Sequence, residues 1–109
     1  MIETQEHYTQ VGRTILAQLG GRRFLTMTGA YSLDFSDSGF SARLPARNGG
    51  RSFTVLLNAN DLYNISILQM DGRSFRVIET EHASDVFAEA LCETFERLTG
   101  LRTSLGDRR

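Results

Sequence analysis

The sequence predicts an α+β fold: a meandering antiparallel sheet of about five strands, with an N-terminal and a C-terminal helix (α-β-β-β-β-β-α). Three observations predict it. Apolar residues recur every three or four positions in the first and last segments, and every second position between them. The connections between the alternating segments are short, which makes neighbouring strands antiparallel. The pair Asp71-Gly72 has the composition of a type I′ hairpin turn. The 109 residues allow one domain, placed at 1–100, with a C-terminal tail at 101–109.

The first helix is expected over Thr4 to Leu19. Tyr8, Val11, Ile15 and Leu19 form its apolar stripe, and Gly20-Gly21 stops it. The last helix is expected from Ser84, an N-cap residue, with Asp85 favouring the positive end of the helix dipole. Phe87, Leu91, Phe95 and Leu98 make its stripe, Glu89, Glu93 and Glu96 face water, and Gly100 ends it.

Between the helices, the stretch "FLTMTGAYSLDF" (Phe24 to Phe35) alternates without losing phase. Leu25, Met27, Gly29, Tyr31, Leu33 and Phe35 share one parity. A bulge would flip every later side chain, so one long strand kinked at Gly29 is expected, and Thr28 is expected to have no catalytic role. Four strands follow. The first two carry Phe40, Ala42 and Leu44, then Phe53, Val55 and Leu57; "LYNISILQM" and "RSFRVIET" follow. If Leu57 pairs with Leu62 across "NAND", then Leu62, Leu68 and Met70 point inward and Tyr63, Ile65 and Ile67 point outward. A two-residue turn at Asp71-Gly72 sets Ile67 opposite Arg76 and Ile65 opposite Ile78.

Composition excludes several function classes. Net charge is -1, which gives no general basis for nucleic-acid binding. All 12 basic residues are Arg. Gly20 to Val77 holds seven Arg against four acids, and Ile78 to Gly100 holds six acids against one Arg, so the middle is basic and the last helix acidic. No apolar run is long enough to span a membrane, and "MIETQEHYTQ" has no leader pattern. A cytoplasmic protein is expected, and the lone Cys92 fits a reducing compartment. With two histidines, His7 and His82, and one cysteine, no metal-ligand set is legible. Cys92 lies about 15 Å along a helix from His82, too far for a catalytic pair, while His7 is within reach only if the two helices meet. Without Lys there is no P-loop and no Schiff base. No cofactor and no enzymatic activity are expected.

Two surfaces remain as candidate sites. The first is a partner-binding sheet face of Leu56, Tyr63, Ile65, Ile67, Arg76 and Ile78, apolar residues rimmed by Arg. The alternative is that the two helices lie on opposite faces of the sheet, or cover this isoleucine face. The second is an Arg set around "RLPARNGGR", Arg43, Arg47 and Arg51 with Arg22 and Arg23, able to contact phosphates but lacking interleaved aromatics.

The order "QLGG" (Gln18 to Gly21), "MTGA" (Met27 to Ala30), "LNANDLY" (Leu57 to Tyr63) and "TGLRTSL" (Thr99 to Leu105) resembles a family of small uncharacterised proteins of bacteriophages, prophages and mobile elements. The resemblance spans about residues 14 to 105. It implies a bacterial cytoplasm and a gene carried by phage or mobile DNA, and it carries over no catalytic residue. The expected function is therefore a non-enzymatic binding protein that acts on a protein partner, such as a host or defence factor, or self-associates. Nucleic-acid binding through the Arg set is the alternative.

Overall fold

A computed structural model describes residues 2–45, 50–71 and 76–103, with side chains 10–45, 50–70 and 76–103. The first helix, α1 (Ile2–Leu19), buries Ile15 and Leu19 completely, four residues apart on one face. Gly20 and Gly21, both at positive φ, end it. A second helix, α2 (Arg22–Thr28), follows at once.

Here the structure corrects the expectation of one strand from Leu25 to Phe35. Only β1 (Tyr31–Phe35) is extended. The signal lies in Thr28-Gly29. Gly29 takes a left-handed φ of 75° and gives its N–H to Leu25 O, while Thr28 Oγ1 donates to Phe24 O (2.8 Å) and accepts from Ala30 N–H (3.2 Å). The last helix, α3 (Leu91–Thr99), ends the same way. Gly100 stands at φ 78°, and Thr99 Oγ1 donates to Phe95 O (2.8 Å) and accepts from Leu101 N–H (3.1 Å). "TG" is thus one capping device used twice.

The remaining strands are β2 (Gly39–Leu44), β3 (Arg51–Leu57), β4 (Tyr63–Asp71) and β5 (Arg76–Val86). The five run antiparallel in the order β1-β2-β3-β4-β5, the expected meander. Two registers differ from expectation. Leu57 pairs with Tyr63, not Leu62, because Asn58 Oδ1 accepts the N–H groups of Asn60 and Leu62 and builds a five-residue connection. Asp71 pairs with Arg76, so the connection spans four residues, 72–75, which lie outside the described residues. Ile67 therefore pairs with Glu81 and Ile65 with Ala83. A slip of one residue reverses both faces of β4.

The last helix also starts later than expected. β5 runs through Ser84 and Asp85 to Val86, so Ser84 caps nothing. Asp85, at φ 55°, gives its N–H to Asn64 Oδ1, and Asn58 Nδ2 donates to Asp85 Oδ1 and Asn64 Oδ1. A 3₁₀ turn, Ala88–Ala90, leads into α3. From Gly100 to Thr103 the chain stays attached: Thr103 is buried and gives both its N–H and Oγ1 hydrogen to Glu96 Oε2.

All three helices contribute to a single core on one face of the sheet. At its centre are Phe24 from α2, Phe40 from β2, Phe53 from β3 and Phe95 from α3. Their rings contact edge to face, with centroids 5.0 to 5.8 Å apart. Tyr63 and α1 are joined by the phenol, which donates to Gln18 Oε1 at 2.6 Å. Cys92 Sγ donates to the carbonyls of Leu19 and Gln18 at the end of α1, a packing role between α3 and α1. The side chain of His7 lies outside the described residues.

Candidate functional site

The helix layer leaves the opposite sheet face open, and the pairings place its residues in rows across the strands. One row reads Tyr31, Arg43, Ser52, Leu68 and Glu79; the next reads Ser41, Thr54, Ser66 and His82. The second row is hydroxyl-rich, as expected of a solvated antiparallel face. Two exposed apolar residues meet at the end of the face where β4 turns into β5. There Met70 pairs with Val77 and the two are 47% and 61% exposed.

These side chains and their neighbours form a notch of about 190 Å³, with walls from Tyr31, Met70 and Val77, with Arg43 on its rim and with Gly50, Arg51 and Ser52 completing its lining. Gly50 O accepts the Met70 N–H at 3.0 Å and fixes one lip. Arg51 is half-buried and donates from Nη1 to Thr99 O at 3.2 Å, so the α3 terminus holds it in place. Arg43 is exposed and makes no hydrogen bond or ion pair among the described residues. Apolar walls beside the unpaired Arg43 guanidinium are suited to an apolar side chain that carries acid beside it.

The expected partner face divides accordingly. Tyr63, Ile65 and Ile67 are core residues beneath the helices, at 7%, 0% and 1% exposure. This corrects their placement outward, and the cause is the five-residue connection from Asn58. Leu56 is exposed on the open face but pairs with Asn64, at the other end of the sheet from the notch. Arg76 and Ile78 are exposed at the hairpin end, Ile78 on the side of the sheet that carries the helices. Met70, expected in the core, and Val77 belong to the surface instead.

The four described arginines of the set do not share a surface. Arg22 and Arg23 are exposed at the start of α2, in the helix layer. Arg43 is on the open face, Arg51 is bonded to Thr99, and Arg47 lies outside the described residues.

One polar array was not legible in the sequence. His82 Nε2 is 2.7 Å from Ser84 Oγ, and His82 Nδ1 is 3.7 Å from Glu79 Oε2 and 3.4 Å from Ser66 Oγ. The types match a nucleophile, base and acid, but the setting does not. His82 and Glu79 are both about half exposed on an edge strand. The Asp85 N–H next to Ser84 is bonded to Asn64. Neither water exclusion nor an oxyanion site accompanies the array. Among the described residues no group of three His, Cys, Asp or Glu is placed to hold a metal ion, and no helix is long and apolar enough to cross a membrane.

No family model, curated protein or solved structure matches the chain.

Proposed function

We propose that the protein is a non-enzymatic binding protein that engages a protein partner at the hairpin end of its open sheet face. The observation that carries this reading is the exposed apolar pair Met70 and Val77 beside the unpaired Arg43. Exposed apolar surface rimmed by Arg is the composition of interface hot spots. Burying those side chains against a partner removes apolar area from water, at about 25 cal/mol per Å². The mechanism is occlusion: the sheet end covers a working surface of the partner. In this reading the partner is a component of a bacterial host, as the resemblance to phage and mobile-element proteins implies. Phosphate binding by the Arg set is less well supported, because Arg22, Arg23 and Arg51 lie on the helix side of the sheet and Arg43 on the open face.

The test uses a photo-crosslinking residue at Met70, with the same residue at exposed Asn60 as control, in cells and in purified protein. A discrete adduct formed from position 70, absent from position 60 and lost in Val77→Asp, supports the reading. Equal labelling from both positions would refute it. Far-UV circular dichroism confirms that the variants remain folded.

A further inference from the structure

We infer that the notch receives Phe87 from a second copy of this chain, so that the protein associates with itself through a knob and a notch. This rests on the reading of the notch as a protein-binding site. Phe87 is 61% exposed, although it sits between buried Val86 and buried Leu91. One residue past the end of β5 its backbone is still extended, with φ -70° and ψ 151°, so its ring is carried off the core side that Val86 occupies. The register explains why the ring is not in the core: the helix that would have turned it inward begins four residues later, at Leu91.

Two properties match knob to notch. The first is size. A notch of about 190 Å³ exceeds the roughly 150 Å³ cavity that accepts a benzene ring. The second is charge. Phe87 shares a shallow surface with Glu89, Ala90 and Glu93, so two carboxylates flank the ring. Arg43, whose guanidinium has no partner among the described residues, flanks the notch. Ring into apolar walls and a carboxylate onto the Arg43 guanidinium satisfy both surfaces in one contact. The wider distribution agrees, since the basic middle of the chain bears the notch and the acidic segment bears the knob.

The contact has to be intermolecular. Val77 and Phe87 lie ten residues apart on extended chain, about 33 Å at 3.3 Å per residue. One copy therefore presents notch and knob at opposite ends of β5. Either a two-fold axis closes two such contacts into a dimer, or successive copies continue the association.

Sedimentation equilibrium of the full chain across the micromolar range tests the inference. The wild type is expected to exceed its monomer mass of 12.2 kDa as concentration rises. Phe87→Ser and, separately, Met70→Asp with Val77→Asp should each weaken association by about thirtyfold or more, the loss expected when a hot-spot anchor is removed. Mixing the two variants should restore a complex, because one supplies the notch and the other the knob. Arg43→Glu should weaken association, and a second chain carrying Glu89→Arg and Glu93→Arg should recover it. A wild type that stays monomeric at every concentration overturns the inference. So does association that survives Phe87→Ser. If association is lost in the notch variant but not in Phe87→Ser, or if Met70 crosslinks only a foreign protein, the notch remains a binding site and Phe87 is not its occupant.

Discussion

Replacing Gly12 with alanine should destabilise the protein, although the same change in an ordinary helix stabilises it by about 1 kcal/mol. Gly12 is buried on the inner face of α1, where the helix crosses β1 and β2. A Cβ built there stands 2.6 Å from Gly39 O, 3.0 Å from Phe35 Cα and 3.1 Å from Phe35 Cβ. A comfortable carbon-to-oxygen contact is about 3.3 Å, so α1 has to retreat by about 0.7 Å. Two of the opposing atoms are backbone and cannot rotate away. Retreat also lifts Ile15 and Leu19, both fully buried, off the sheet, and a gap of that size forfeits about a quarter to a half of each contact it opens. Overpacking of this kind costs about 1–3 kcal/mol, and rigid backbone places Gly12 near the upper end. After subtracting the helix gain, a net loss of about 2 kcal/mol remains. With a urea slope of about 2 kcal/mol/M, the unfolding midpoint should fall by about 1 M, read by far-UV circular dichroism. Exposed Ala17 in the same helix is the control, and Ala17→Gly should cost about 1 kcal/mol through propensity alone. If Gly12→Ala raises the midpoint, propensity governs the site and the close approach of α1 to Gly39 is refuted.

The other expectations concern the caps, one phenol and the two faces of β4. Thr28→Val and Thr99→Val should each cost about 1 kcal/mol in urea unfolding, since each removes the same pair of capping bonds, whereas exposed Thr26→Val should cost under about 0.5 kcal/mol. Burial raises the Tyr63 phenol above its ordinary value of 10.0, and the Gln18 amide, which can turn an N–H toward a phenolate, offsets part of this. Folded Tyr63 holds its proton more tightly than unfolded Tyr63. Its contribution is whole below pH about 10 and is lost as the pH rises through the folded value, so Tyr63→Phe should flatten the loss of stability on the alkaline side. Phenolate absorbance of the wild type should show one of the three tyrosines titrating late. Ile65→Asp should leave no cooperative unfolding transition, and Met70→Asp should unfold like the wild type, because one carboxylate is buried without a partner and the other is in water.

The meander was legible because alternation over five to eleven residues is a strong signal and short loops allow only adjacent antiparallel strands. The helix α2 was not. It has seven residues, and Leu25, Met27 and Gly29 happen to continue the parity of Tyr31, Leu33 and Phe35. A period-two pattern and a two-turn helix are separable only by their caps, and the cap was present in the letters. Thr99-Gly100 reads as a helix end because a long periodic stripe precedes it. Thr28-Gly29 has the same chemistry without the stripe. Gly12 was silent for a related reason: a glycine inside a helix pattern shows its close neighbour only once the sheet beneath it is placed.

The site depended on a smaller quantity than the fold did, a count of one residue in the connection after Leu57. Asn58 decides that count by accepting two backbone N–H groups, which makes five residues the closed turn instead of four. Everything functional on β4 follows from it. With Leu62 paired to Leu57, the isoleucines would be the binding surface and Met70 the core. With Tyr63 paired to Leu57, the isoleucines hold the helices and Met70 meets solvent next to Arg43. The two assignments exchange the meaning of a binding experiment as well. Under the observed register, a lost partner in an Ile65→Asp or Ile67→Asp variant reports unfolding. Substitutions at Met70, Val77, Arg43 or Phe87 separate binding from folding, because those side chains can change without opening the core.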